Sequence, residues 1–168
     1  MTKLLCMALP DVAYFGQKDA QQVVVIRRLV ADLNLPVAIE ALPTVREPDG
    51  LAMSSRNALL SRSERERALA LSAGLREAER LTAAGESAAP VLLAAVRSAL
   101  ERAEVEPEYV ALVDGETLEP LARVNEGSLL AVAARVGDVR LIDNVVLSAT
   151  VTEAHPTPTG KASETCSA

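Results

Sequence analysis

Apolar and polar positions change period several times along the chain. Asp11–Phe15, DVAYF, is a short β-prone run closed by Gly16, which predicts a buried strand and a turn. From Lys18 to Leu33 the apolar residues Val23, Ile26, Val30 and Leu33 recur at spacings of three, four and three. That is the period of one helix face, and Asn34 and Pro36 end it. Val37–Leu42, VAIEAL, predicts the next strand. Strand, helix and strand in about thirty residues make a βαβ unit, with a parallel sheet and a right-handed crossover.

After Asn57 the character shifts. Ser61–Ala84 is charged and Ala/Leu-rich, with Leu71, Leu75 and Ala78 at helical spacing. Ser61 and Ser63 are suitable N-caps, Glu64 and Glu66 suit the helix start, and Gly85 suits its stop. Ala89–Ala103 carries Leu92, Val96, Ala99 and Ala103 as a second amphipathic face. Tyr109–Asp114, Leu129–Arg135 and Arg140–Val146 are β-type runs, and Gly137-Asp138 marks a hairpin between the last two. Helices followed by antiparallel strands predict a small α+β domain. His155–Ala168 is rich in Pro, Thr, Ser and Gly without an apolar period, and predicts a disordered tail.

The chain of 168 residues is 49% hydrophobic but only 2% aromatic, with no Trp. Its core must therefore be built from Ala, Leu and Val, and so low an aromatic count argues against base-stacking nucleic-acid modules. A net charge of -6 without a basic stripe argues against nucleic acid and anionic membranes as partners. Cys6 and Cys166 form neither a metal spacing nor a disulfide framework. No apolar run approaches the ~18 residues of a membrane span, and Met1–Pro10 lacks a signal-peptide pattern. These features predict a cytoplasmic protein.

Two polar clusters carry the candidate chemistry. Gly16-Gln17-Lys18-Asp19 follows the first strand, and Thr44–Asn57, TVREPDGLAMSSRN, follows the second. Ligands of open parallel sheets sit beyond the carboxyl ends of the strands, so both clusters belong to one edge. A lysine, two serine hydroxyls and an arginine fork suit a triphosphate held between two loops. Lys18 at a helix start faces a positive helix end, a placement that a bound anion relieves. The plain alternatives are a surface lysine at 18, a helix cap at Asp19, a solvated Gln22 and a polar loop at Met53–Arg56. The stripe Val23, Ile26, Val30, Leu33 reads as core.

The segments DVAYFGQKDAQQ and TVREPDGLAMSSRN, with LLAVAARVGDVRLIDNV near the end, resemble the pantothenate synthetase (pantoate–β-alanine ligase) family. The resemblance covers roughly residues 3–148. It implies a fold of the nucleotidylyltransferase superfamily: a partial Rossmann-like domain over residues 1–58, a small α+β domain over 59–150 and a tail over 151–168. It also implies ATP-dependent condensation of pantoate with β-alanine through pantoyl adenylate, with release of pyrophosphate and then AMP. By resemblance Gly16, Gln17, Lys18 and Asp19 contact ATP, the Val45 backbone holds the adenine, and Met53, Ser54, Ser55 and Arg56 close over adenine and phosphates. Lys18, Ser54, Ser55 and Arg56 stabilise the transferring phosphates, and Gln22 binds pantoate. Mg²⁺ is expected with ATP, with no carboxylate cluster to identify a protein ligand.

The family also carries an upstream Met-Gly-x-Leu-His-x-Gly-His element. This chain has a single histidine, His155, outside any such pattern. The expectation is an N-terminally truncated chain, matching the C-terminal half of the family and inactive or nearly so alone. Apolar surface on Val23–Leu33 and a tendency to associate are expected with it, as a homodimer or with the missing N-terminal half. A non-catalytic remnant or partner-binding half-site is the second reading, and another adenylate-forming enzyme is the third.

Overall fold

The computed structural model describes residues 1–148. Its order is α1 (Thr2–Ala8), β1 (Val12–Gly16), α2 (Ala20–Asp32), β2 (Ala38–Leu42), α3 (Arg62–Ala83), α4 (Ala89–Arg102), β3 (Pro107–Val113), β4 (Ser128–Val136) and β5 (Val139–Leu147). The tail expected over 151–168, with His155 and Cys166, lies outside the described residues.

β1 and β2 pair in parallel, from Val12 opposite Ala38 to Gly16 opposite Leu42. This is the expected βαβ unit, with α2 packed on both strands, but β1 is not the buried strand expected: its residues alternate between exposed and half-buried, because only one helix covers the pair. Asn34 ends α2 at φ 49°. Its left-handed conformation lets the Leu35 N–H donate to the Val30 carbonyl at 3.0 Å, a helix-ending bond for which asparagine is suited. One short helix, α1, was not read from the sequence. It spans only seven residues and closes at Leu9, φ 45°, with Leu5 as its single buried side chain.

The second part is an antiparallel sheet in the order β3-β4-β5, covered by α3 and α4. Ser61 caps α3 in a reciprocal capping box with Glu64. Leu71, Leu75, Leu92, Val96, Leu100, Leu130 and Val132 fill the core between helices and sheet. Gly74 allows α3 and α4 to approach closely: a Cβ there would lie 3.1 Å from the Val96 Cα. Gly137, φ 59°, turns the β4–β5 hairpin.

The expectation of exposed apolar surface on Val23–Leu33 holds for one side of α2, where Val25 and Leu33 are 60% and 52% exposed. Val23 and Ile26 are 2% and 4% exposed, because α2 turns that face onto its own two strands. Further exposed apolar side chains lie on Leu4, Met7 and Leu9 around α1, on Tyr14 of β1 and on Leu42 of β2. A two-stranded sheet covered by one helix leaves its other side chains without apolar neighbours.

Candidate functional site

The parallel pairing brings the ends of β1 and β2 side by side, so the segments that follow leave from one edge. Gln17–Asp19 form a 3-10 turn between β1 and α2, and Ser55–Leu59 form another after the second loop. Lys18, Asp19 and Gln22 line a cavity of about 230 Å³ with Tyr109, Asp143 and Asn144. The chemistry-bearing turn of the first part therefore faces the sheet of the second.

Lys18 is half-buried. Burial pushes its ammonium pKa down, and the neighbouring Arg56 charge pushes the same way, while Asp19 and Asp143 oppose the shift. Lys18 and Arg56 thus come from separate loops yet sense one another. Neither takes part in a salt bridge among the described residues. Two cations outside any salt bridge, at the carboxyl end of a parallel sheet, suit an anion.

The other expected residues are distributed around this pair. Gly16 ends β1 in an ordinary extended conformation, φ -76°. An added Cβ there would meet nothing within 4 Å, so open space, not backbone strain, characterises the position. Gln17 donates from Nε2 to Asn144 Oδ1 at 3.4 Å. Asp19 stands at the start of α2, but its side chain makes no capping bond, which corrects the reading of it as a helix cap. The Met53 N–H donates to the Val45 carbonyl at 2.9 Å, and both side chains are exposed. Ser54 Oγ accepts from the Arg56 N–H at 3.3 Å, fixing the start of the Ser55–Leu59 turn. The Ser55 side chain is exposed.

Several residues that hold these loops were not singled out in the sequence. Arg46 forms a two-pronged pair with the buried Asp143, at 2.6 and 3.1 Å. Arg65 of α3 binds Glu47, and its Nε donates to Asp49 at 2.8 Å. Asn57 is buried and donates from Nδ2 to Glu47 Oε1 at 2.5 Å and to the Ala52 carbonyl at 3.1 Å. The Asn57 bond and the Arg65 bond hold the Glu47 carboxyl below its usual pKa. The available signal was a charged and an amide residue, Asp143-Asn144, inside the apolar run of β5. Polar residues in a buried strand need partners.

A parallel βαβ unit with cationic and hydroxyl-bearing loops at its strand ends, joined to an antiparallel α+β part, is an α/β protein of the nucleotidylyltransferase type. A model of the pantoate-beta-alanine ligase family matches residues 1–146, and the chain belongs to that family. The pantothenate synthetase of Myxococcus xanthus is 56% identical over 149 residues, covering 88% of this chain and 51% of that protein. A bifunctional pantoate ligase/cytidylate kinase of Trichormus variabilis is 52% identical, covering 88% of this chain and 28% of that protein. Among solved structures, pantothenate synthetase from Thermus thermophilus matches with a TM-score of 0.82 at 42% identity, over 88% of this chain and 53% of that one. A pantoate-beta-alanine ligase from Francisella tularensis, complexed with beta-gamma ATP and beta-alanine, matches with a TM-score of 0.60 at 31% identity, over 86% of this chain and 47% of that one. The chain spans about half the length of the pantothenate synthetases it matches.

Proposed function

We propose that this chain supplies one wall of an ATP site in the condensation of pantoate with β-alanine through a pantoyl-adenylate intermediate. The observation that carries the reading is that the parallel pairing of β1 and β2 sends the loops bearing Lys18 and Arg56 off one edge, with neither side chain in a salt bridge among the described residues. A triphosphate between the loops would neutralise both. The pantoate carboxylate would attack the α-phosphorus, and pyrophosphate would leave. Charge developing on the transferring oxygens would be met by the Lys18 ammonium, the Arg56 fork and the Ser54 and Ser55 hydroxyls. The amine of β-alanine would then attack the acyl carbon and release AMP. Gly16, Gln17 and Asp19 are read as further ATP contacts, the Val45 backbone and Met53 as the adenine side, and Gln22 as the pantoate contact.

ATP brings Mg²⁺ as its counter-ion, supplying charge neutralisation at the phosphates. Among the described residues no group of three His, Cys, Asp or Glu side chains converges to hold a metal. Residues 1–58 are read as the nucleotide-binding part and 59–150 as the α+β part, in a cytoplasmic protein. No helix among the described residues is long and apolar enough to cross a membrane.

The site is open on the side of the exposed Val45 and Met53. Bulk water weakens the electrostatic stabilisation on which phosphoryl chemistry depends. The 168 residues alone are thus expected to bind ATP with little or no turnover, and full activity is expected with a homodimer partner or the family's other half. The exposed apolar side chains of β1 and β2 support such association; a non-catalytic, partner-binding half-site is the second reading they support. Calorimetric titration with ATP, with Lys18→Ala as control, is the first measurement. Binding that the substitution weakens supports the reading, and a folded chain that ignores ATP sinks it. Pantoate-dependent ATP–pyrophosphate exchange on the same samples then separates a working site from a half-site.

A further inference from the structure

β5 reaches both loops, one from each face of its sheet. Asp143 and Asn144 are adjacent on this strand and only 3% and 5% exposed. Asp143 pairs across the ladder with Val132, and Asn144 with Ala131, so strand alternation sends them to opposite faces. Val132 belongs to the large core beneath the helices. Ala131 belongs to a separate small cluster with Ala20, the first residue of α2.

On the first face, Asp143 accepts from both Arg46 terminal nitrogens, at 2.6 and 3.1 Å. The same guanidinium donates to the Gly50 carbonyl at 3.2 Å, so the pair grips the loop that leads to Ser54–Arg56. On the second face, Asn144 Nδ2 donates to the main-chain carbonyls of Gln17 and Lys18, each at 2.9 Å. Gln17 Nε2 completes the contact at Asn144 Oδ1, 3.4 Å away. A planar amide reading two successive carbonyls fixes the turn that presents Lys18. Apolar side chains would hold a buried strand at least as well as this pair. Core packing alone therefore does not account for two polar neighbours directed at two different loops.

We propose that Asp143 and Asn144 are positioning residues: together they set the gap between the two loops, so that Lys18 and Ser54–Arg56 address one triphosphate. The ATP part rests on the reading under Proposed function, whereas the gap itself is a mechanical property that is measurable without ligand.

The experiment uses the full chain with Cys6 and Cys166 changed to serine. Spin labels go on Val25→Cys and Leu59→Cys, which are 60% and 72% exposed and follow the two loops. Pulsed electron resonance reads the distance distribution between them. The parent is expected to give one narrow distribution, and Asn144→Leu, close in shape but unable to donate, to broaden or shift it. ATP affinity of the folded fraction is expected to fall roughly tenfold or more, as misplaced binding groups do. A purely structural role would lower the melting temperature and leave the folded fraction's affinity intact. Should Asn144→Leu fail to fold, Arg46→Gln, altered on the loop side of the other clamp, is expected to broaden the same distribution. An unchanged distribution in a folded variant overturns the proposal, as does a changed distribution with unchanged ATP affinity. A parent that does not bind ATP refutes the ATP reading instead, and the distances alone then decide whether β5 sets the gap.

Discussion

Replacing Asn57 by leucine probes how the Ser54–Arg56 loop is held. The Asn57 amide is buried, and both partners of its Nδ2 are acceptors, a Glu47 carboxylate oxygen and the Ala52 carbonyl. That pairing fixes the orientation of the amide. Leucine has similar volume but no donor, so the Ala52 carbonyl is left unpaired in the interior, at a cost of about 1–3 kcal/mol. A smaller gain opposes it, because Asn57 Oδ1 is itself buried without a partner and disappears in the variant. The net expectation is a loss of roughly 1–2 kcal/mol in denaturant titration, or about 3–6 °C in melting temperature for a chain of this size. Hydrogen exchange by mass spectrometry should show faster exchange in the peptide covering 44–60, with α3 and α4 unaffected. Asn57→Asp is expected to be worse at neutral pH, since it sets a second carboxylate against Glu47, and to recover as the pH falls and either group gains a proton. Equal stability of Asn57→Leu and the parent, with unchanged exchange over 44–60, would refute the account of this amide as the lock on the loop.

Three further variants have expected outcomes. Ser61→Ala removes the N-cap of α3 and should cost about 1 kcal/mol in thermal or denaturant unfolding. Bonds from Ser61 hold the Glu64 carboxyl below its usual pKa, so the Glu64 contribution is present above the unfolded value and lost as pH falls through the folded one. Glu64→Gln and the parent should therefore converge in acid. Lys18→Met should melt at or above the parent at neutral pH while losing ATP binding in calorimetry. Burial lowers the Lys18 pKa below the ordinary 10.5, so between the two values the unfolded chain binds more protons. The parent should gain stability as pH rises through that window, and the methionine variant should lack that gain.

Hydrophobic period determined most of the secondary structure of this protein. The spacing of Val23 and Ile26 in α2, the Ser61–Glu64 cap of α3 and the Gly137-Asp138 turn are local features, set by residues within a few positions of one another. For the same reason the two polar clusters could be placed at strand ends on a common edge. Local pattern could not decide which faces would be covered. On α2, Val23 and Ile26 are buried while Val25 and Leu33 stay exposed, because a short parallel pair gives the helix a surface on one side that no window of sequence contains. The clamps on the loops are long-range in the same sense. Asp143 meets Arg46, and Asn144 meets Gln17 and Lys18, across more than ninety residues of chain. A polar pair in an apolar strand signals that partners are needed, but only the packing of β5 between the loops decides which partners they are. Residue types placed cations and hydroxyls on the two loops, and tertiary structure decided how far apart the loops are held, because a distance between segments remote in sequence is set by packing alone.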